Sequence, residues 1–164
     1  MSASTTVSQP SEREVQITRS FAASAASLFA AYTQPELIKR WQSGPEGWRL
    51  TTCRIDLRVD GRYRYEWQHT DGEQMGMSGT FLEIDAPSRL VTTELFDADW
   101  TGGETVVTTT FVERNGTTTV TTTIGYSSQA ARDGALGTGM TEGMEASYGQ
   151  LEHLLEQATN EAEA

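Results

Sequence analysis

The segment GTGMTEGMEASYGQLEHLLEQ (residues 137–157) decides the fold of this chain. Apolar or small residues recur along it and just beyond it at steps of four and three, at Met140, Met144, Ser147, Leu151, Leu154 and Ala158. This spacing predicts one helix with a continuous apolar stripe. Such a helix must cover an apolar surface, and the preceding sequence has to supply that surface.

The residues before this helix predict an antiparallel sheet. One strand is expected at 14–21, where apolar and polar residues alternate, and two short helices follow near 24–32 and 35–41. Six more strands are expected at 50–57, 61–69, 74–84, 89–96, 104–114 and 117–126. Strong hairpin signals lie between several of them, at Asp60-Gly61, Asp71-Gly72 and Asn115-Gly116.

A long sheet of this kind needs cover on one face, and only the C-terminal helix is long enough to supply it. We therefore predict an α+β fold. In this fold a curved seven-stranded antiparallel sheet wraps around the long C-terminal helix, and two short helices follow the first strand.

The length and the two ends of the chain predict a single domain. A chain of 164 residues has the size of one ordinary domain. We expect this domain to span 13–157, after a disordered N-terminal segment over 1–12 and before an acidic disordered tail over 158–164. Both ends consist mainly of small and polar residues, which bury too little apolar surface to order themselves.

The charge argues against nucleic acid as a partner. The chain has 12 Lys and Arg against 23 Asp and Glu, a formal net charge of −11, whereas phosphate binding needs a basic surface. More than half of this negative charge follows Ser128, which indicates the solvated face of a helix or, alternatively, an acidic docking surface. No run approaches the ~20 apolar residues of a membrane span, so no membrane insertion is expected.

The single cysteine, Cys53, cannot form an internal disulfide, which predicts a reducing compartment and hence a cytoplasmic protein. It alternates with Ile55 along its strand, so we expect a buried inert thiol rather than a nucleophile. The sequence contains none of the common nucleotide, metal or hydrolase motifs. We therefore predict no catalytic residue, no metal ligand and no cofactor.

Aromatic and methionine side chains are the candidate ligand-binding residues. Aromatic rings and flexible thioethers together suit a pocket for an apolar small molecule. The candidates are Trp41, Trp48, Tyr65, Trp67, Phe81, Phe96, Trp100, Met140 and Met144. The alternative is that these side chains simply fill the core of a curved sheet.

Two polar residues are candidates for groups within the same pocket. His69 ends a strand on the face that carries Tyr65 and Trp67, although it also suits a solvated position beside the following turn. Glu94 lies between Thr92 and Phe96 on one face of its strand, and a carboxylate beside aromatic residues in a cavity would have a raised pKa and could act as an acid or a base. The alternative for Glu94 is an ion pair with an arginine such as Arg64.

Five segments occur in a recognisable order along residues 13–157. They are RSFA (19–22) followed by LFAA (28–31), PELIKRW (35–41), DLRVDGRY (56–63), GTFLEIDAPSRLV (79–91) and the Gly139-Met140 pair. In this order they resemble the START-like, helix-grip superfamily, also called SRPBCC. The specific resemblance is to bacterial homologues of the activator of the heat-shock protein Hsp90 ATPase.

The resemblance implies a hydrophobic pocket between the sheet and the C-terminal helix. We therefore expect the protein to bind a hydrophobic small molecule that is lipid-, polyketide- or aromatic-like. One alternative is an enzyme of cyclase, hydrolase or lyase type that uses the same pocket. The other is a protein-binding module that stimulates a chaperone ATPase, and a chaperone or a weak homodimer would then be the partner.

Overall fold

Eight strands and four helices make up the computed structural model, which describes residues 5–43, 46–99 and 101–163, with side chains up to residue 158. The strands are β1 Thr6–Ser8, β2 Glu14–Phe21, β3 Trp48–Ile55, β4 Arg62–His69, β5 Gln74–Asp85, β6 Arg89–Phe96, β7 Thr105–Arg114 and β8 Thr117–Gly125. The helices are α1 Ala25–Thr33, α2 Pro35–Trp41, α3 Gln129–Leu136 and α4 Met140–Glu163.

The strands form one antiparallel sheet in the order β1-β2-β8-β7-β6-β5-β4-β3. The sequence predicts seven strands, and the structure has eight because β1 forms within the segment expected to be disordered. Val7 of β1 pairs with Ile17 of β2 at the edge of the sheet. All three residues of β1 are exposed. No apolar alternation therefore marked this strand in the sequence, and only its backbone pairing defines it.

Two irregularities bend the part of the sheet formed by β3 to β6. The pairing of β3 with β4 shifts register between Leu50 and Thr52, and that of β5 with β6 shifts between Phe81 and Glu83. An extra residue in one strand of a pair bends that strand and increases its twist. The predicted α+β helix-grip fold, a long antiparallel sheet with a C-terminal helix, is confirmed.

The first helices begin where the sequence places them, whereas α3 was not predicted. The Ser24 hydroxyl caps α1 by accepting the Ser27 N–H at 3.1 Å, and the Ser128 hydroxyl caps α3 by accepting the Ala131 N–H at 3.0 Å. α3 has only eight residues, so its sequence contains too few helical periods to predict it. α4 continues to Glu163, through most of the segment expected to be a disordered tail.

A buried arginine ties α4 to the sheet. Arg19 on β2 is 4% exposed, and its guanidinium lies 2.8 Å from Glu152 and 3.5 Å from Glu145, both on α4. The same guanidinium lies 5.3 Å from the Phe21 ring centroid and 5.8 Å from that of Tyr148. Paired charges and aromatic faces compensate the loss of hydration. Arg19 therefore fixes one end of the space between helix and sheet.

The other side of α4 rests on the short helices. α4 packs against α2, and Arg40 of α2 donates a 2.8 Å hydrogen bond to Gln157 of α4. Ser43, just after α2, donates a 2.7 Å hydrogen bond to Gln150. None of the helices in the described part of the chain is long and apolar enough to cross a membrane.

Candidate ligand-binding cavity

A cavity of about 530 Å³ lies between the inner face of the sheet and α4. Its wall is mainly apolar and aromatic and includes residues from α1, α2 and α4 and from strands β3 to β8. Eight of the nine predicted aromatic and methionine candidates lie on it, namely Trp41, Trp48, Tyr65, Trp67, Phe81, Phe96, Met140 and Met144. The ninth, Trp100, lies outside the described residues.

Trp41 and Trp67 present apolar faces to the cavity, since their indole N–H groups are already bonded to backbone carbonyls. The Trp67 indole N–H donates to the Gln42 carbonyl at 2.7 Å, and that of Trp41 donates to the Ala31 carbonyl at 2.8 Å. Trp67 also stacks on Phe96, with ring centroids 6.4 Å apart and an interplanar angle of 23°. A satisfied indole presents a rigid apolar surface to a bound molecule.

The cavity wall includes tyrosines that the sequence analysis did not name as ligand-binding candidates: Tyr63 from β4 and three from outside the strands. Tyr32 comes from α1, Tyr148 from α4, and Tyr126 follows β8. The Tyr126 hydroxyl donates to the Met140 sulfur at 3.4 Å, which links the end of the sheet to the start of α4. Tyr148 lies beside the apolar stripe of α4, so the helical spacing could have identified it.

Small polar side chains from β7 and β8 complete the wall. Thr105, Thr109 and Thr122 point inward and are buried. Each alternates with outward-facing neighbours, as expected of a strand with one covered face. Their small volume leaves space below α4 that larger apolar residues would have filled.

Glu94 of β6 lies on the cavity wall, and the ion pair considered from the sequence does not form. Arg64 instead pairs with Asp97 at 2.6 Å and with Glu66 at 3.2 Å. Burial raises the pKa of the Glu94 carboxyl to about 7. Its side chain keeps partial accessibility, and the accessible surface faces the cavity. Glu94 thus combines a low-polarity environment with access to a ligand.

His69 lies outside the cavity, at the end of β4. Its Nδ1 accepts the Asp71 backbone N–H at 3.2 Å, and its ring packs edge-on against Trp48 with centroids 5.1 Å apart. The Asp71 carboxylate has a lowered pKa, chiefly because it accepts the Glu73 backbone N–H, and also because His69 is near. His69 shares the strand face of Tyr65 and Trp67 but lies beyond the cavity wall.

Cys53 is a buried free thiol, and burial raises its pKa to about 11. Such a thiol is protonated at neutral pH and unreactive. In the ranges that the structure describes, no group of three or more His, Cys, Asp or Glu side chains could hold a metal ion.

The raised pKa of Glu94 predicts that wild type and a variant without this carboxyl differ in stability by an amount that depends on pH. An unfolded Glu ionises near 4.5 and the folded one near 7, so the contribution of Glu94 to stability is greatest below pH 4.5 and is lost as the pH rises through 7. We expect the stability of Glu94→Gln relative to wild type, measured by urea denaturation, to rise by about 3 kcal/mol between pH 4.5 and pH 8.

The other ionisable groups around Glu94 do not interfere with this test. Tyr63, Tyr65 and Tyr126 face it, and burial holds the pKa of each above 10, so all three stay neutral in this range. Titration of the surface carboxylates changes the stability of both proteins equally, so it cancels when the free energies of unfolding of variant and wild type are subtracted. An equal difference at pH 4.5 and pH 8 would contradict the placement of Glu94.

A long antiparallel sheet that holds a C-terminal helix across an internal cavity defines a helix-grip domain of the START-like class. The chain belongs to the family described as Activator of Hsp90 ATPase homolog 1-like protein, whose family model matches residues 22–156. The family resemblance seen in the sequence is thereby confirmed.

Solved structures of bacterial proteins share this fold. A protein from Rhodobacter sphaeroides is 30% identical with a TM-score of 0.89, over 94% of this chain and 99% of that one. A protein from Mycobacterium smegmatis is 25% identical with a TM-score of 0.81, over 93% and 97%. An AHSA1-like protein from Aeromonas hydrophila is 23% identical with a TM-score of 0.64, over 85% and 93%. No curated protein matches significantly.

Proposed function

We propose that this protein binds a hydrophobic small molecule, lipid-, polyketide- or aromatic-like, in the cavity between the sheet and α4. The observation that carries the proposal is the cavity of about 530 Å³ with its mainly apolar and aromatic wall. Small-molecule sites commonly measure about 300–1,000 Å³ and combine such a wall with a few polar groups. An apolar molecule of matching size would bury most of its surface here and gain the hydrophobic free energy of that burial.

The proposed contacts come from two opposed surfaces. Trp67, Phe81 and Phe96 would pack against the ligand from the sheet, and Met140 and Met144 would cover it from α4. Methionine side chains adapt to ligands of different shape because they are unbranched and polarisable. The remaining proposed contacts are Trp41, Trp48 and Tyr65.

Ligand-induced stabilisation tests this proposal. We expect at least one of palmitate, naringenin and emodin (a fatty acid, a flavonoid and an aromatic polyketide) to raise the Tm by about 5 °C or more at saturating concentration. The same compound should displace the fluorescent probe N-phenyl-1-naphthylamine. If no compound of this panel raises the Tm and the probe does not bind, the proposal is wrong.

The family description supports stimulation of a chaperone ATPase as a second candidate function. An Hsp90 ATPase assay with and without this protein distinguishes the two, because stimulation needs a protein surface whereas ligand binding needs the cavity. The buried free thiol of Cys53 suits the reducing cytoplasm under either function.

A further inference from the structure

Among the described residues of the cavity wall, Glu94 has the only acidic or basic side chain that can be charged near neutral pH. The wall within the described ranges includes no Lys, Arg, His or Asp. Glu94 lies on β6 opposite Thr105 of β7, in the middle of the sheet rather than at its edge. Its partly accessible carboxylate therefore lies against the space that a ligand would occupy.

The Glu94 carboxylate is left without a hydrogen-bond or ion-pair partner among the described residues. Two hydroxyl groups on the same wall are bonded to backbone carbonyls instead. The Tyr63 hydroxyl donates to the Thr93 carbonyl at 2.6 Å, and the Thr101 hydroxyl donates to the Gly103 carbonyl at 2.9 Å. A carboxylate buried without a partner costs free energy, which a ligand group can recover by pairing with it.

Aromatic rings surround this carboxylate. Burial is the main cause of the raised pKa of Tyr63, Tyr65 and Tyr126, and the Glu94 charge adds to it in each case, so all three phenol rings lie within its electrostatic reach. Phe96 follows two residues later on the same face of β6 and stacks on Trp67. A carboxylate together with aromatic faces attracts a cation and repels an anion.

We propose that the ligand of this cavity is an amphipathic amine whose protonated nitrogen pairs with Glu94 while its apolar part lies against the aromatic and methionine wall. This inference rests on the proposed function, since it names the chemical class of the molecule bound at the same site. When Glu94 is protonated before binding, formation of the pair releases one proton to solvent, so the amine binds more tightly at pH 8 than at pH 5.

Matched probes of one size test the inference. We expect 1-pyrenemethylamine to bind at least about tenfold more tightly than 1-pyrenemethanol at pH 8, because a charge-assisted hydrogen bond replaces a neutral one. The anionic 1-pyrenecarboxylate should bind more weakly than either. Between pH 5 and pH 8 the amine stays protonated, so its preference over the alcohol should grow as Glu94 ionises.

Two variants separate the site from the overall negative charge of the protein. Glu94→Gln should abolish the preference for the amine while the alcohol still binds. Glu156→Gln removes one exposed carboxylate from α4 and should leave the preference intact. Equal binding of amine and alcohol by the wild type would overturn the inference and leave the proposed function standing, whereas a failure of every probe to bind would contradict both.

Discussion

Replacement of Gly79 by alanine is expected to destabilise the fold by about 3 kcal/mol. Gly79 lies on β5, where an added Cβ would collide with the backbone carbonyl oxygen of Thr93 and with the ring of Tyr63. Neither can move aside freely, because the Tyr63 hydroxyl donates to that same carbonyl at 2.6 Å. Overpacking that forces backbone to shift costs about 1–3 kcal/mol and sometimes more.

Gly76 on the same strand provides the matched control. An added Cβ there would meet the ends of the Arg64 and Asp97 side chains, which can rotate away. We expect Gly76→Ala to cost less than about 1 kcal/mol, so urea denaturation of the two variants should separate them clearly. Similar losses for both would mean that the close approach of Tyr63 to β5 does not constrain Gly79.

The hairpins of the sheet were predictable from local sequence because each depends on a short signal. The Asp71-Gly72 and Asn115-Gly116 turns each connect two strands that the sequence predicts to be neighbours. Asn115 has a positive φ of 53°, as tight hairpin turns of this kind require. β1 was missed because backbone pairing with β2, rather than a local apolar pattern, makes its three residues a strand. α3 was missed because a helix of eight residues contains too few helical periods to be recognised in the sequence.

The wall of the cavity was predictable only as a set of inward-facing residues. Alternation places both His69 and Glu94 on inner faces, yet only Glu94 lines the cavity. Alternation gives the face of the strand on which a residue lies. It does not show where along the strand the cavity ends, because long-range packing determines that boundary. The same limit applies to Thr109 and Thr122, because periodicity cannot tell whether a small inward residue is covered or faces empty space.

Replacement of Ser147 by phenylalanine is expected to weaken binding of an apolar ligand about a hundredfold, or about 3 kcal/mol, while it stabilises the protein. Ser147 lies on α4 and lines the cavity between Met144 and Tyr148. A phenyl ring at this position would occupy the space that the ligand needs. Because the ring fills an apolar cavity, the free energy of unfolding should increase by about 1 kcal/mol.

The opposite signs of these two effects separate a blocked cavity from a damaged fold. The measurements are probe titration with N-phenyl-1-naphthylamine and urea denaturation of the ligand-free protein. Ala146→Phe places the same ring on the adjacent, exposed position of α4 and should change neither quantity appreciably. Undiminished binding by Ser147→Phe would mean that the ligand binds outside the cavity. Weaker binding with lower stability would mean that the ring does not fit the cavity and strains the packing of α4 on the sheet, since overpacking is destabilising.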